Sequence, residues 1–219
     1  MTRPKTENNI GMAQWTRTVE ATIAASIYAL PPSERVQGAI AAHAAGYWVH
    51  ADVILKQAGS GKVVNIGVDV KQIKECLEQA PGLRMDIHLM VIPGTLNWEP
   101  TVDRVVAELA EEDITRWSAS SGVMDRVSPS LTKGTEQWIE VWPQRDGRVP
   151  QPAGVGVLTM LIEPGTQGEA DMTTLEVVAL LSKEANVGVD GGVTPSVAST
   201  ALAAGAGYLV IGRALFARD

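Results

Sequence analysis

Two histidines and two aspartates stand in or at the ends of three separate apolar runs of this chain. His50 and Asp52 lie in Tyr47-Trp48-Val49-His50-Ala51-Asp52-Val53, His88 in Met85-Asp86-Ile87-His88-Leu89-Met90-Val91, and Asp190 closes Val187-Gly188-Val189-Asp190 before Gly191-Gly192. Imidazole nitrogens and carboxylate oxygens together suit a divalent cation such as Zn²⁺, Mn²⁺, Fe²⁺ or Co²⁺. A carboxylate beside such a cation can also move a proton. His50 and Asp52 are two apart, so on a strand both face the same side. Any one of these residues alone could be a satisfied structural group; their joint placement is what points to a site.

The elements that would position them alternate along the chain. Strands are predicted over 20–27, 47–54, 83–91, 114–118, 155–162, 186–189 and 208–211. Helices are predicted from Pro31 to near Gly46, then over 68–80, 98–111, 173–185 and 195–204. In the second helix Ile73, Cys76 and Leu77 share a face; in the third, Val102, Val105, Val106 and Leu109 do. Strands alternating with helices imply a parallel sheet with crossover connections. The stretch from Ser120 to Ala153 breaks this rhythm with Pro129, Pro143, Pro150 and Pro152. Within it Trp138-Ile139-Glu140-Val141-Trp142 alternates like a strand, and no convincing helix follows before Val155. The expectation is a single-domain α/β protein, a (β/α)₈ TIM barrel over 19–219. Its fifth helix would be reduced or missing and its final helix truncated. Residues 1–18 read as a flexible extension.

In such a barrel the chemistry lies at the C-terminal ends of the strands, where His50, Asp52, His88 and Asp190 all fall. Asp86 shares the face of His88 but lies earlier on its strand, so it reads as a supporting or structural carboxylate. His43, inside the first helix, reads as structural. Asp190-Gly191-Gly192 precedes a helix and Ile211-Gly212-Arg213 ends the last strand. Glycines at these two consecutive strand ends could let backbone N–H groups reach a phosphate, although each alone is more often a turn. Glu163-Pro164-Gly165-Thr166-Gln167-Gly168 could form a mobile lid or an ordinary surface turn. Arg213 could meet a substrate's anionic end, reach toward Glu163, or extend to solvent.

Composition narrows the partners. The 219 residues carry a net charge of -7, which argues against nucleic acid or an anionic membrane as the main partner. Cys76 is the only cysteine, so no internal disulfide can form, as suits a reducing compartment. No apolar run approaches the roughly 18 residues that span a bilayer. A cytoplasmic protein is expected, and a homo-oligomer is compatible with the sequence.

At these residues the chain resembles ribulose-phosphate 3-epimerase. The likeness runs from about Thr22 to Phe216 and is carried by six pieces. These are Ile23-Ala24-Ala25-Ser26-Ile27, His50-Ala51-Asp52-Val53, Asp86 to Val91, Met160 to Gly168, Val189-Asp190-Gly191-Gly192-Val193, and Ala204 to Phe216. It implies one divalent cation held by His50, Asp52, His88 and Asp190, with Asp52 and Asp190 exchanging the substrate proton. It implies substrate contacts from Ser26, Met90 and Met160, and phosphate contacts from Gly165, Gly168, Gly191, Gly192, Gly212 and Arg213. The implied reaction is inversion at C3 of a ketose phosphate. D-ribulose 5-phosphate and D-xylulose 5-phosphate lead; allulose 6-phosphate or another ketose phosphate is the alternative.

The chain also departs from the family pattern. Ile54-Leu55-Lys56 replaces Met-Asp-Gly after the second strand, and the loop to Asn65 is longer. Thr166-Gln167 stands for the sixth loop's aromatic-glycine pair, Arg213 for a serine, and Trp117-Ser118 where strand four usually has a histidine. Two rival readings stay open: a non-catalytic sugar-phosphate or metal binder, and an aldolase or decarboxylase on the same barrel using Lys56.

Overall fold

The computed structural model describes residues 21–143 and 156–217. In chain order the strands are β1 (Thr22–Ser26), β2 (Trp48–Gln57), β3 (Val63–Asn65), β4 (Met85–Val91), β5 (Arg116–Ala119), β6 (Glu136–Val141), β7 (Gly156–Met160), β8 (Val187–Asp190) and β9 (Tyr208–Ile211). The hydrogen-bonded order is β1-β9-β8-β7-β6-β5-β4-β2, and β1 pairs with β2 to close the ring. All eight pairings around it are parallel, which makes a closed barrel of the expected (β/α)₈ class.

Among the described residues six α-helices pack outside: α1 (Arg35–Ala44), α2 (Val70–Gln79), α3 (Glu99–Leu109), α4 (Ser121–Val127), α5 (Leu175–Leu181) and α6 (Pro195–Ala203). Their starts are chemically specified. Asp69 caps α2, its side chain accepting from the backbone N–H of Lys71, and Gln72 completes a capping box. Thr194 caps α6, which has Pro195 in its first turn. Ile73 and Cys76 of α2, and Val102, Val105, Val106 and Leu109 of α3, are buried as their helical spacing predicts. They join outward-facing strand residues such as Val49, Ala51 and Val53 in the main core.

Three features differ from the sequence expectation. β2 runs on past Ile54 and folds back as a hairpin with antiparallel β3, so the lengthened loop is partly sheet. The Asn65 side chain secures this hairpin, accepting from the N–H of Ile54 and of Gly67 and donating to the carbonyl of Val68. Next, the stretch from Ser120 contains a short helix, α4, whose Val123, Met124 and Val127 are buried. The sequence pattern hides it because seven residues give too few turns for a periodic signal. Finally, β6 begins at Glu136, two residues before the alternating run.

The expected reduced fifth helix and the 1–18 extension lie outside the described residues. After β9 the chain makes a turn that buries Leu215 and Phe216, and no helix follows among the described residues. None of the described helices is long and apolar enough to cross a membrane.

Inside the barrel, one face of each strand supplies the filling. Trp48, Trp138 and Tyr208 form the lower layer, near the strand starts. Gly156 and Gly188 make room for it. A Cβ at Gly156 would overlap the Trp138 indole, and one at Gly188 would lie 2.8 Å from both Trp138 and Tyr208. Arg116 completes the layer, its guanidinium 3.8 Å from the ring centre of Trp138, 4.3 Å from Tyr208 and 4.6 Å from Trp48. Glu136 pairs with it at 2.6 Å. The rings accept a cation that the barrel would otherwise have to desolvate without return.

Candidate metal centre and active site

Above that layer the register brings the four polar residues together. Asp52 pairs across the sheet with His88, and Ser26 with His50; Asp190 ends β8. Pleating turns His50, Asp52 and His88 inward, because residues two apart share a face and register matches them between strands. One ligand atom from each of His50, Asp52, His88 and Asp190 lies within 4.8 Å of the others. His50 Nε2 is 3.2 Å from Asp52 Oδ1 and 3.7 Å from Asp190 Oδ2. His88 Nδ1 is 3.4 Å from Asp52 Oδ1 and 3.5 Å from Asp190 Oδ2.

The outer nitrogen of each ring is held from behind. Asp86 Oδ2 is 3.0 Å from His50 Nδ1, and Glu140 Oε2 is 3.0 Å from His88 Nε2. Asp86 also accepts from Tyr208 at 2.7 Å and from Ser118 at 3.0 Å. Asp86 thus sits behind the four-residue cluster, hydrogen-bonded to His50, Tyr208 and Ser118. Glu140 is a residue that sequence reading misses.

This arrangement fits a divalent cation. His88 Nδ1 is buried without a hydrogen-bond partner and faces the two aspartates. A buried nitrogen left unpaired is costly unless something fills the place in front of it. Two imidazoles plus two carboxylates are a mixed N/O donor set of the sort first-row divalent metals accept.

Without a cation, the imidazoles answer the carboxylates with protons. Burial opposes charge on His50, but the attraction of Asp52 and Asp86 outweighs it and raises the group to about 10. His88 is likewise raised against burial, by the carboxylates of Asp190, Asp52 and Glu140 around it. Burial acts to raise Asp52, yet charged His50 and His88 hold it well below the ordinary carboxylate range. Burial with Asp86 nearby pushes the Tyr208 phenol up, so it stays a donor.

The cluster floors a cavity of about 820 Å³ at the C-terminal ends of the strands. Asp52 and Asp190 open into it, whereas His50 and His88 lie beneath, fully buried. Ser26, Met90 and Met160 line the same space, and Ser26 donates to Asp52 Oδ2 at 2.8 Å. Gly165, Gly168, Gly191, Gly192, Gly212 and Arg213 line its upper wall.

Gly191 and Gly192 also have packing reasons. A Cβ at Gly191 would press on Ile162, and one at Gly192 would lie 2.5 Å from the backbone nitrogen of Ala170; both residues have positive φ. The loop after β7 is thereby seated on the end of β8. Arg213 is exposed and ties down the same loop, donating from Nη2 to the Gly168 carbonyl at 3.0 Å. Where it was expected to reach toward Glu163, its bond across the loop is to Gly168. Lys56 sits exposed on the β2–β3 hairpin and is not among the cavity-lining residues.

A closed parallel barrel with a histidine–carboxylate cluster at its mouth defines a (β/α)₈ protein with a candidate metal centre. A sequence profile of the Ribulose-phosphate 3 epimerase family matches residues 152–216, which span β7, the loop after it, β8 and β9. Asp190 and the upper-wall glycines fall within that match; His50, Asp52 and His88 lie outside it.

Among solved structures the chain is similar to a mutant tryptophan synthase α-subunit from Pyrococcus furiosus. The identity is 12%, over 90% of this chain and 89% of that one, with a TM-score of 0.58. It is similar to orotidine 5'-phosphate decarboxylase from Pyrococcus horikoshii OT3 at 15% identity, over 90% and 92%, with a TM-score of 0.54. It is also similar to an Oleispira antarctica phosphodiesterase in complex with sn-glycerol-3-phosphate at 13%, over 89% and 94%, with a TM-score of 0.56. At such identities these likenesses establish the barrel fold and no activity. Comparison with curated proteins finds no match.

Proposed function

We propose that this protein is a metal-dependent epimerase that inverts C3 of a ketose phosphate. A ketopentose 5-phosphate, the D-ribulose and D-xylulose pair, is the leading substrate, with allulose 6-phosphate or another ketose phosphate as the alternative. The observation that carries this reading is the convergence of His50, Asp52, His88 and Asp190 at the floor of the cavity. The family match over 152–216 supports it from the other half of the barrel.

His50, Asp52, His88 and Asp190 would hold one divalent cation. When bound, it supplies Lewis-acid stabilisation of negative charge on the substrate's oxygens at C2 and C3. The protein's own residues do the rest. Asp52 comes from β2 and Asp190 from β8, with β1 and β9 between them in the ring. Two carboxylates approaching from different sides can serve one as base and the other as acid. One takes the proton from C3, and the other returns a proton to the opposite face. Ser26 orients Asp52 by donating to Oδ2, which leaves Oδ1 toward the histidines. Met90, Met160, Ile54 and Ile162 give the cavity apolar walls that limit water near the reacting carbons. The loop after β7, held by Arg213, covers the end of the cavity where the phosphate would lie.

The test is D-ribulose 5-phosphate, and then allulose 6-phosphate, in D₂O with Zn²⁺, Mn²⁺, Fe²⁺ and Co²⁺ in turn. NMR should show deuterium entering at C3 together with the epimer. Binding without exchange would make the protein a sugar-phosphate binder. Carbon–carbon cleavage would favour the aldolase reading. That reading is weakened by the position of Lys56 away from the cavity.

A further inference from the structure

We infer that Glu140 is a positioning residue for His88, fixing which ring nitrogen can meet a cation. The inference rests on the metal-centre reading above. Glu140 faces the barrel interior on β6, yet its partner sits on β4, two strands away. The residue between them is Ser118 of β5, which pairs in register with both His88 and Trp138. Ser118 is small, and its hydroxyl is turned away to Asp86. The Glu140 side chain can therefore pass over β5 to reach His88 Nε2 at 3.0 Å, with both residues buried.

The consequence is chemical. A carboxylate accepts and does not donate, so in the neutral ring the proton stays on Nε2. Nδ1 is then left with its lone pair, and this is the nitrogen without a hydrogen-bond partner that faces Asp52 and Asp190. At His50 the same logic runs through the opposite nitrogen: Asp86 takes Nδ1, and Nε2 faces the centre. The two rings thus present different nitrogens to one point, and each choice is made by a carboxylate behind. Such partners orient a ligating imidazole and raise its basicity.

The experiment compares wild type, Glu140→Gln and Glu140→Ala by competition with a chelator for Zn²⁺, and by ¹⁵N NMR of the histidines in the Zn²⁺-loaded proteins. Circular dichroism checks that each variant is folded. Gln keeps an acceptor for Nε2–H and should cost little. Ala removes the acceptor and should weaken Zn²⁺ binding by about 10- to 100-fold. The His88 signals of the loaded wild type should show the proton on Nε2. If wild type binds Zn²⁺ and folded Glu140→Ala binds it as tightly, the positioning role is overturned while the metal centre stands. A proton on Nδ1 in loaded wild type has the same consequence. If wild type takes up no Zn²⁺, Mn²⁺, Fe²⁺ or Co²⁺, both fall. Should Glu140→Ala not fold, Glu140→Leu removes the acceptor at nearly constant volume: Zn²⁺ binding about 10- to 100-fold weaker supports the inference, and binding as tight as wild type overturns it.

Discussion

Asp86 stands two residues before His88 on its strand but serves His50 on the next, its Oδ2 3.0 Å from His50 Nδ1. The same carboxylate holds Tyr208 and Ser118. Three groups from three other strands therefore depend on one buried charge.

Removing that charge should be costly. Asp86→Ala leaves an imidazole, a phenol and a hydroxyl without their acceptor inside the barrel. A loss of about 3–5 kcal/mol in unfolding free energy is expected. Ser118→Ala, which removes one hydroxyl, should cost about 1 kcal/mol. Urea unfolding measures both, and equal effects would contradict Asp86's place as the shared acceptor.

Asp52→Asn and Asp190→Asn should each remove C3 exchange while leaving the barrel folded, because an amide does not act as a base near neutral pH. The readout is deuterium incorporation alongside a circular dichroism spectrum. Substantial exchange in either folded variant rules out the two-carboxylate mechanism.

One divalent cation per chain is expected, whichever of the four metals is used for loading. His50→Ala and His88→Ala should each lower occupancy sharply, since each removes one of only two nitrogen donors. Elemental analysis after dialysis gives the count. Unchanged stoichiometry in both variants would place the metal elsewhere.

The metal-free protein should have a stability optimum on the acid side of neutrality. Asp52 and Asp86 are held below the ordinary carboxylate value of 3.8. The stability they contribute is full above that value and is lost as pH falls through their folded values. His50 is raised from 6.5 to about 10, so its contribution is full below 6.5 and fades as pH rises through about 10. Both edges report the same buried ion pairs, so Tm should be highest between 3.8 and 6.5. A bound cation replaces the imidazole protons and should preserve stability on the alkaline side. A Tm that climbs steadily from 6.5 to about 10 in the metal-free protein would contradict this.

Gly188→Ala should destabilise the barrel by about 1–3 kcal/mol through overpacking. Its added carbon would sit 2.8 Å from both Trp138 and Tyr208. Replacing Trp138 by Leu in the same protein should recover part of the loss, and denaturant unfolding of the single and double variants reads the coupling.

Much of the site can be read from the chain because its parts are local. His50 and Asp52 share a strand face by simple alternation, and the glycines that seat the loop after β7 mark strand ends. Asp86 is readable for the same reason, being two residues from His88. Glu140 is not. Its partner is 52 positions earlier in the chain and two strands away in space, a separation without local trace. The available signal is a carboxylate sharing a face with Trp138 and Trp142 in an otherwise alternating strand. Arg116 is hidden likewise, since a cation in a strand reads as solvated until three aromatic rings are seen to surround it. The β2–β3 hairpin escapes because its second arm is three residues long and is secured by one side chain, Asn65.

The layer of Trp48, Arg116, Trp138 and Tyr208 has a bearing on molecular traffic. It stoppers the end of the barrel opposite the cavity, so whatever enters by the rim must leave by the rim. Under the proposed reaction, substrate and epimer would queue for a single doorway and could not occupy the chamber together. Product would then act as a purely competitive inhibitor. The balance between the two sugars outside would alone decide in which direction the chamber is used.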